Sequence, residues 1–211
     1  MTTRTAFLGL LVLIAALDPG RLHAQRLEIS PYAGGFWPTE TLGGEDFKND
    51  GLYGVRIGGF VTDRVVLDGN VAYTSQFEYT GSDSGSRAWL WDTNATLHFF
   101  PSSINLSPFL TAGLGGLTAT LDNGGSIFFL YSDDGGFLEV GDPEPGVRVV
   151  ELESGDTFFG FTYGGGVKAN KLVGPVGLRF DLRGRTLPNF FGEDLSWLES
   201  TLGLTISWGE R

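Results

Sequence analysis

The chain contains no cysteine, which excludes disulfides, thiolate metal sites, cysteine nucleophiles and lipid attachment through an N-terminal Cys. Histidine is nearly absent: there are two in 211 residues, and one of them, His23, precedes a candidate cleavage point. A metal cluster built on several imidazoles therefore has no ligands to draw on. Charged residues make up only 18%, too few for long charge-driven disorder. Bases are the scarcer kind, with 14 Lys and Arg against 25 Asp and Glu. The net charge of −11 has the wrong sign for a nucleic-acid binder. Beyond the N-terminus no stretch approaches the ~20 apolar residues of a membrane helix. Membrane-crossing strands stay open, because alternating faces give only a weak hydropathy signal.

What the chain has in excess is glycine, 33 residues, together with 13% aromatics. The glycines follow no Gly-X-Y period, so collagen is excluded. Glycine with aromatics suits an all-β chain with many tight turns.

The N-terminus reads as a leader. Arg4 lies in a short polar start, and Ala6 to Leu17 is an uncharged, almost wholly apolar run. Asp18-Pro19-Gly20-Arg21 breaks it, and Ala24 offers a small residue for cleavage before Gln25. This is the layout of a secretory signal peptide over residues 1–24, leaving 25–211 as the mature domain. The run is too short to cross a ~30 Å hydrocarbon core, and the competing reading is a buried helix. Losing Arg4, Arg21 and Asp18 makes the mature chain one unit more acidic.

Eight later segments alternate with period two. In the clearest, Val176, Leu178, Phe180 and Leu182 share one face, while Arg179, Asp181, Arg183 and, past Gly184, Arg185 share the other. The last segment places Leu198, Leu202, Leu204, Ile206 and Trp208 opposite Glu199, Thr201, Gly203 and Thr205. Similar patterns run through Tyr53–Val61, Val65–Phe77, Trp89–Phe99 and Phe159–Lys168. Those at 26–37 and 106–121 are less regular, interrupted by Pro31 and Pro108. Eight strands of this length fit a closed antiparallel up-and-down barrel. The connections fall at 38–50, 62–64, 78–86, 100–105, 122–156, 170–173 and 187–196. Every even-numbered one is shorter than its neighbours, so one rim is expected to be tight and the other long. That is the pattern of short periplasmic turns and long outer loops.

Alternation alone does not say which face is inside, and a soluble lipocalin-like binder shares the period. Two features favour the membrane form beside the leader and the loop lengths. Small residues and charges of both signs dominate the polar face, as a narrow filled lumen requires. Aromatics cluster near strand ends on the apolar face: Trp37, Tyr53, Phe77, Tyr79, Trp89, Trp91, Phe159 and Phe161 toward the long-loop rim. Phe99 and Trp208 mark the other rim, giving two girdles of the kind that form at lipid–water interfaces.

Three segments carry a family resemblance: Pro108-Phe109-Leu110-Thr111-Ala112-Gly113-Leu114-Gly115, Tyr163-Gly164-Gly165-Gly166-Val167-Lys168 and Gly177-Leu178-Arg179-Phe180-Asp181-Leu182-Arg183. They resemble the small outer-membrane β-barrel proteins of the OmpA, OmpX and OmpW type. The resemblance implies an eight-stranded transmembrane barrel in the outer membrane of a Gram-negative cell, touching outer-membrane lipid and lipopolysaccharide. It implies no cofactor and no enzymatic activity. The stretch Thr201 to Trp208 is similar to the family's insertion signal, with Thr201, Gly203, Ile206 and Trp208 the residues read by the barrel assembly machinery. Members end on the aromatic itself, and Gly209-Glu210-Arg211 departs from that.

The expected lumen set is Glu28, Arg56, Asp68, Glu78, Asp92, Lys168, Arg179, Asp181, Arg183, Arg185 and Glu199. Charges inside a low-dielectric wall must be paired or hydrated. Hairpin neighbours suggest Arg56 beside Asn70 and Asp68, and Arg185 beside Glu199. A salt-bridge plug is one reading; a narrow gated ion or small-solute channel, porin-like in kind, is the other. The loop at 122–156 carries nine acids and one base, Arg148. It is expected to extend the sheet as a hairpin and to be either a solvated surface or a divalent-cation site near Asp133-Asp134. A lipid-modifying barrel enzyme would use a His and a Ser two apart on one strand face; here position 100, two after His98, is Phe.

Overall fold

The computed structural model describes residues 26–38, 41–42, 45–46, 48–77, 86–101, 104–121, 126–132, 147–191 and 193–209. The leader, Glu78, Tyr79 and the Asp133-Asp134 pair lie outside the described residues. Eight long strands form the wall: β1 (Leu27–Pro38), β4 (Asp50–Phe60), β5 (Val65–Thr74), β6 (Ser86–His98), β7 (Leu106–Leu121), β10 (Thr157–Val173), β11 (Val176–Phe190) and β12 (Glu193–Trp208). Two small hairpins rise from connections, β2 (Thr41–Leu42) with β3 (Glu45–Asp46) and β8 (Ser126–Ser132) with β9 (Val147–Glu153). The second is the hairpin that the apolar runs of the 122–156 loop call for.

The wall closes in the order β1-β12-β11-β10-β7-β6-β5-β4, every neighbour antiparallel. The seam joins the first strand to the last, Leu27 opposite Trp208 and Trp37 opposite Leu198. Closure satisfies the backbone without a free edge, the condition for crossing hydrocarbon with strands. Apolar side chains line the outside. Leu178 and Phe180 are 38% and 45% exposed, whereas Arg179 and Asp181 are 3% and 1% exposed. A water-soluble barrel built around an apolar core would show the reverse.

Exposed Trp37, Tyr53, Trp89, Phe159 and Phe161 lie toward the rim bearing the long connections, and Phe99 and Trp208 toward the other. Two outward rings lie over outward glycines: Trp91 over Gly116 and Tyr163 over Gly184. The flat ring shields backbone that glycine would otherwise leave bare.

Two sequence expectations need correction. Phe77 is not a girdle residue; it is buried inside the barrel. β5 ends at Thr74 and the chain bends at Ser75, so the alternation that carried Phe77 outward no longer applies. The connection at 187–196 is also mostly strand, pairing Leu187 with Leu195 and Phe190 with Glu193 around a turn at Phe191. Here the inward face switches from charged to apolar, with Leu187, Phe190, Leu195 and Trp197 all buried, which hides the period from a polar-in reading. The other connection at that rim spans, 39–49, 75–85 and 122–156, separate the wall strands much more widely than the turn at 174–175.

Candidate functional site

The interior has three tiers set by strand alternation. Nearest the short-turn rim, Lys168 on β10 bonds Glu28 on β1, which also accepts from Ser207 Oγ at 3.3 Å. His98 stacks on Phe60 and its Nδ1 lies 3.3 Å from Ser107 Oγ, with both His98 and Ser107 buried.

The middle tier centres on Asp181. Arg179 Nε and Nη2 reach it at 3.0–3.1 Å, and Arg56 Nη1 reaches it from β4 at 3.0 Å. Two rings flank these guanidiniums: Phe109 lies 4.4 Å from Arg179 and Tyr32 lies 4.6 Å from Arg56. Such stacking adds cation–π attraction in a desolvated setting. Both rings need glycine: a Cβ at Gly54 would come within 2.5 Å of the Tyr32 ring, and one at Gly166 within 2.7 Å of Phe109. Asp68 accepts from Asn94 Nδ2 at 3.1 Å and Thr96 Oγ1 at 2.9 Å. Between Glu28, Asp68, Arg56 and Arg179 lies a cavity of about 10 Å³, room for at most one water.

The upper charged tier is a four-residue ring. Arg183 reaches Glu199 at 2.9 Å and Asp92 at 3.5 Å, and Arg185 reaches Glu199 at 3.0 Å and Asp92 at 2.5 Å. Neutral donors complete it: Asn70 Nδ2 to Asp92 at 2.8 Å, Tyr32 Oη to Asn70 at 2.7 Å, and Trp197 Nε1 to Glu199 at 3.0 Å. Each carboxylate oxygen of the ring thus meets a donor, which offsets the desolvation that makes buried ion pairs costly.

Above the ring the lumen turns apolar. Phe36, Leu52, Phe77, Leu90, Leu117, Leu187, Phe190, Leu195 and Trp197 form one buried cluster. Phe36 packs on Trp197 at 5.3 Å and on Phe77 at 6.0 Å between ring centroids. This roof is what the sequence reading lacks. Of its members the sequence reading gives a face to Phe77 alone, and the wrong one; Leu187, Phe190 and Leu195 fall in the stretch it reads as a connection.

All ten described lumen charges point inward: Arg56, Lys168, Arg179, Arg183 and Arg185 against Glu28, Asp68, Asp92, Asp181 and Glu199. Arg185 meets Glu199 across the β11–β12 hairpin. Arg56 does lie opposite Asn70, yet it bonds Asp181 across the lumen instead. Of the terminal-strand residues, Thr201 and Gly203 face inward and Trp208 outward, with Ile206 half-buried on the outer face. Among the described residues no group of three or more His, Asp or Glu is arranged to hold a metal ion.

At the long-loop rim, Asp50 Oδ2 holds the chain leaving β5, accepting from Thr74 Oγ1 at 2.6 Å and from the Ser75 and Gln76 amides at 2.8 Å. Partial burial would raise its pKa, but these hydrogen bonds win and hold it below the ordinary 3.8.

Residues 6–189 match the outer membrane protein beta-barrel domain family. Among solved structures, neisserial surface protein A is similar at 12% identity and a TM-score of 0.57, over 88% of this chain and 97% of that one. The outer membrane protein OprG of Pseudomonas aeruginosa is similar at 10% identity and a TM-score of 0.51, over 88% of this chain and 96% of that one. No curated protein matches. An eight-stranded closed wall, apolar outside and charged within, and a family match over most of the chain lead to one conclusion: the chain belongs to the outer membrane protein β-barrel domain family and resides in the bacterial outer membrane.

Proposed function

We propose that the protein is a non-conducting, non-enzymatic barrel whose work is done at the cell surface, by its acidic outer loops and its contact with outer-membrane lipid and lipopolysaccharide. The observation that carries this reading is the apolar roof of Phe36, Phe77, Phe190 and Trp197 above the Arg183–Glu199–Arg185–Asp92 ring. An ion entering would have to displace packed rings and then break matched ion pairs, and both steps are expensive. The inward orientation of the buried His98–Ser107 pair gives it no access to lipid substrate, in keeping with a role in closing the lumen.

Residues 1–24 act in this reading as a cleaved export signal. Thr201, Gly203, Ile206 and Trp208 act as the signal for the assembly machinery. Their support is position: they lie on β12, the strand that closes the seam with β1. An amphipathic strand with an unsatisfied edge can pair with another sheet before closure. Divalent cations at the 122–156 loop remain part of the proposal, tested by calcium titration of the full chain.

Planar-bilayer recording of refolded protein tests the central claim. Wild type, Arg179→Ala and Asp181→Ala are all expected to give no discrete conductance steps. Reproducible steps in wild type that change in either variant would establish the channel instead.

A further inference from the structure

The outer surface of the barrel is not uniformly convex. A groove of about 330 Å³ opens on it between β6, β7, β10 and β11, walled by Trp91, Leu114, Phe159, Phe161 and Pro188. Its origin is legible in the register. Trp91, Gly116 and Phe159 form one row across three strands, and because Gly116 has no side chain the two aromatic rings meet above it, edge to face at 5.6 Å. In the next row Leu114 lies opposite Phe161. On the far side the β10–β11 ladder stops at Phe161–Thr186, while β11 continues paired with β12, so Pro188 stands off from β10. Proline has no N–H to extend that ladder. The Trp91 indole donates to Thr118 at 3.4 Å, which fixes the ring as a wall instead of letting it fill the space.

We propose that this groove seats one acyl chain of lipid A, the membrane anchor of lipopolysaccharide. The groove is continuous with the lipid-facing surface of the barrel and lies toward the long-loop rim, so the outer leaflet is the one that reaches it. Its walls are apolar and largely aromatic. Its volume matches roughly ten groups of ~30 Å³, the share of a water molecule in the liquid and close to that of a methylene. Arg87 lies on the same outward row of β6 as Trp91, about 13 Å nearer the rim at ~3.3 Å per residue. That is the depth at which a chain seated in the groove would carry its anionic head. The inference rests on the lipid contact of the proposed function and not on its closed lumen, so the bilayer recording and the experiment below fail independently.

The experiment is a lipid titration of the refolded full chain in detergent, read by native mass spectrometry, with lipid A and separately with phosphatidylethanolamine. Leu114→Trp fills the groove from an exposed position, and Phe161→Ala removes one wall. Leu67→Trp, on exposed β5 outside the groove, is the control. Heat-modifiable gel mobility confirms that each variant folds. Wild type is expected to retain lipid A in preference to phosphatidylethanolamine. Both groove variants should weaken that retention about tenfold, the loss of roughly two buried methylenes, with Leu67→Trp unchanged. Equal retention of the two lipids would overturn the assignment, as would equal behaviour of groove and control variants. So would a dimer of the chain that only the groove variants abolish, since the occupant would then be a second copy.

Discussion

Arg56 Nη1 lies 3.0 Å from Asp181 Oδ2, joining two strands that have β1 and β12 between them around the wall. Asp181 also carries Arg179, so one carboxylate balances two guanidiniums that stack on Tyr32 and Phe109. Substituting Asp181→Asn removes the charge and leaves both buried cations without the carboxylate that bonds them. The expected loss is about 3–5 kcal/mol of stability, the usual consequence of orphaning a buried partner. Urea unfolding in phospholipid bilayers measures it. The double variant Arg179→Met with Asp181→Leu should lose less than Asp181→Asn alone, because Arg56 is then the one guanidinium left without that carboxylate, not both.

In the proposed reading the lumen is closed twice, by the roof and by the charged ring, with Trp197 belonging to the first and donating to Glu199 of the second. Trp197→Ala is expected to lower stability by about 3–5 kcal/mol, since a large buried aromatic leaves a cavity. It should still give no conductance steps, because Arg183, Arg185, Asp92 and Glu199 keep their mutual pairs beneath it. Steps in Trp197→Ala together with loss of stability would show that the aromatics alone seal the barrel.

Much of the barrel is legible in the amino-acid sequence, for specific reasons. Leu178, Arg179, Phe180 and Asp181 alternate so cleanly that period two alone assigns their faces. Pairs within a hairpin, such as Arg185 with Glu199, follow from counting residues back from a turn. The Arg56–Asp181 pair does not, because it exists only once the sheet has closed on itself. Trp197 and Phe190 were out of reach for another reason. A strand that is polar inside at mid-membrane and apolar inside at its outer end has no single face rule, and the switch reads as a loop. Phe77 failed through a bend at Ser75 that side-chain pattern does not encode.

Asp50 makes the outer rim sensitive to acid. Its folded pKa lies below 3.8, so its contribution is fully present above that value and is lost as pH falls through the lower folded one. Protection of the Ser75 and Gln76 amides against hydrogen exchange, corrected for intrinsic rate, should therefore drop in that window. In Asp50→Asn the protection should be weaker at neutral pH and no longer vary with acid. An unchanged acid dependence in the variant would assign the effect to another group.

The inner rings depend on missing side chains. At Gly54 a Cβ would come within 2.5 Å of the Tyr32 ring and 2.7 Å of the Val71 carbonyl oxygen. The ring cannot simply swing away, because its hydroxyl is tied to Asn70 and its face covers Arg56. Gly54→Val should thus cost about 1–3 kcal/mol through overpacking and slow the appearance of the compact, heat-modifiable form on refolding. Gly59, where a Cβ would meet nothing within 4 Å, provides the comparison. Gly59→Val should refold as wild type does. If both variants refolded alike, the defect would belong to valine in the strand and not to the space beneath Tyr32.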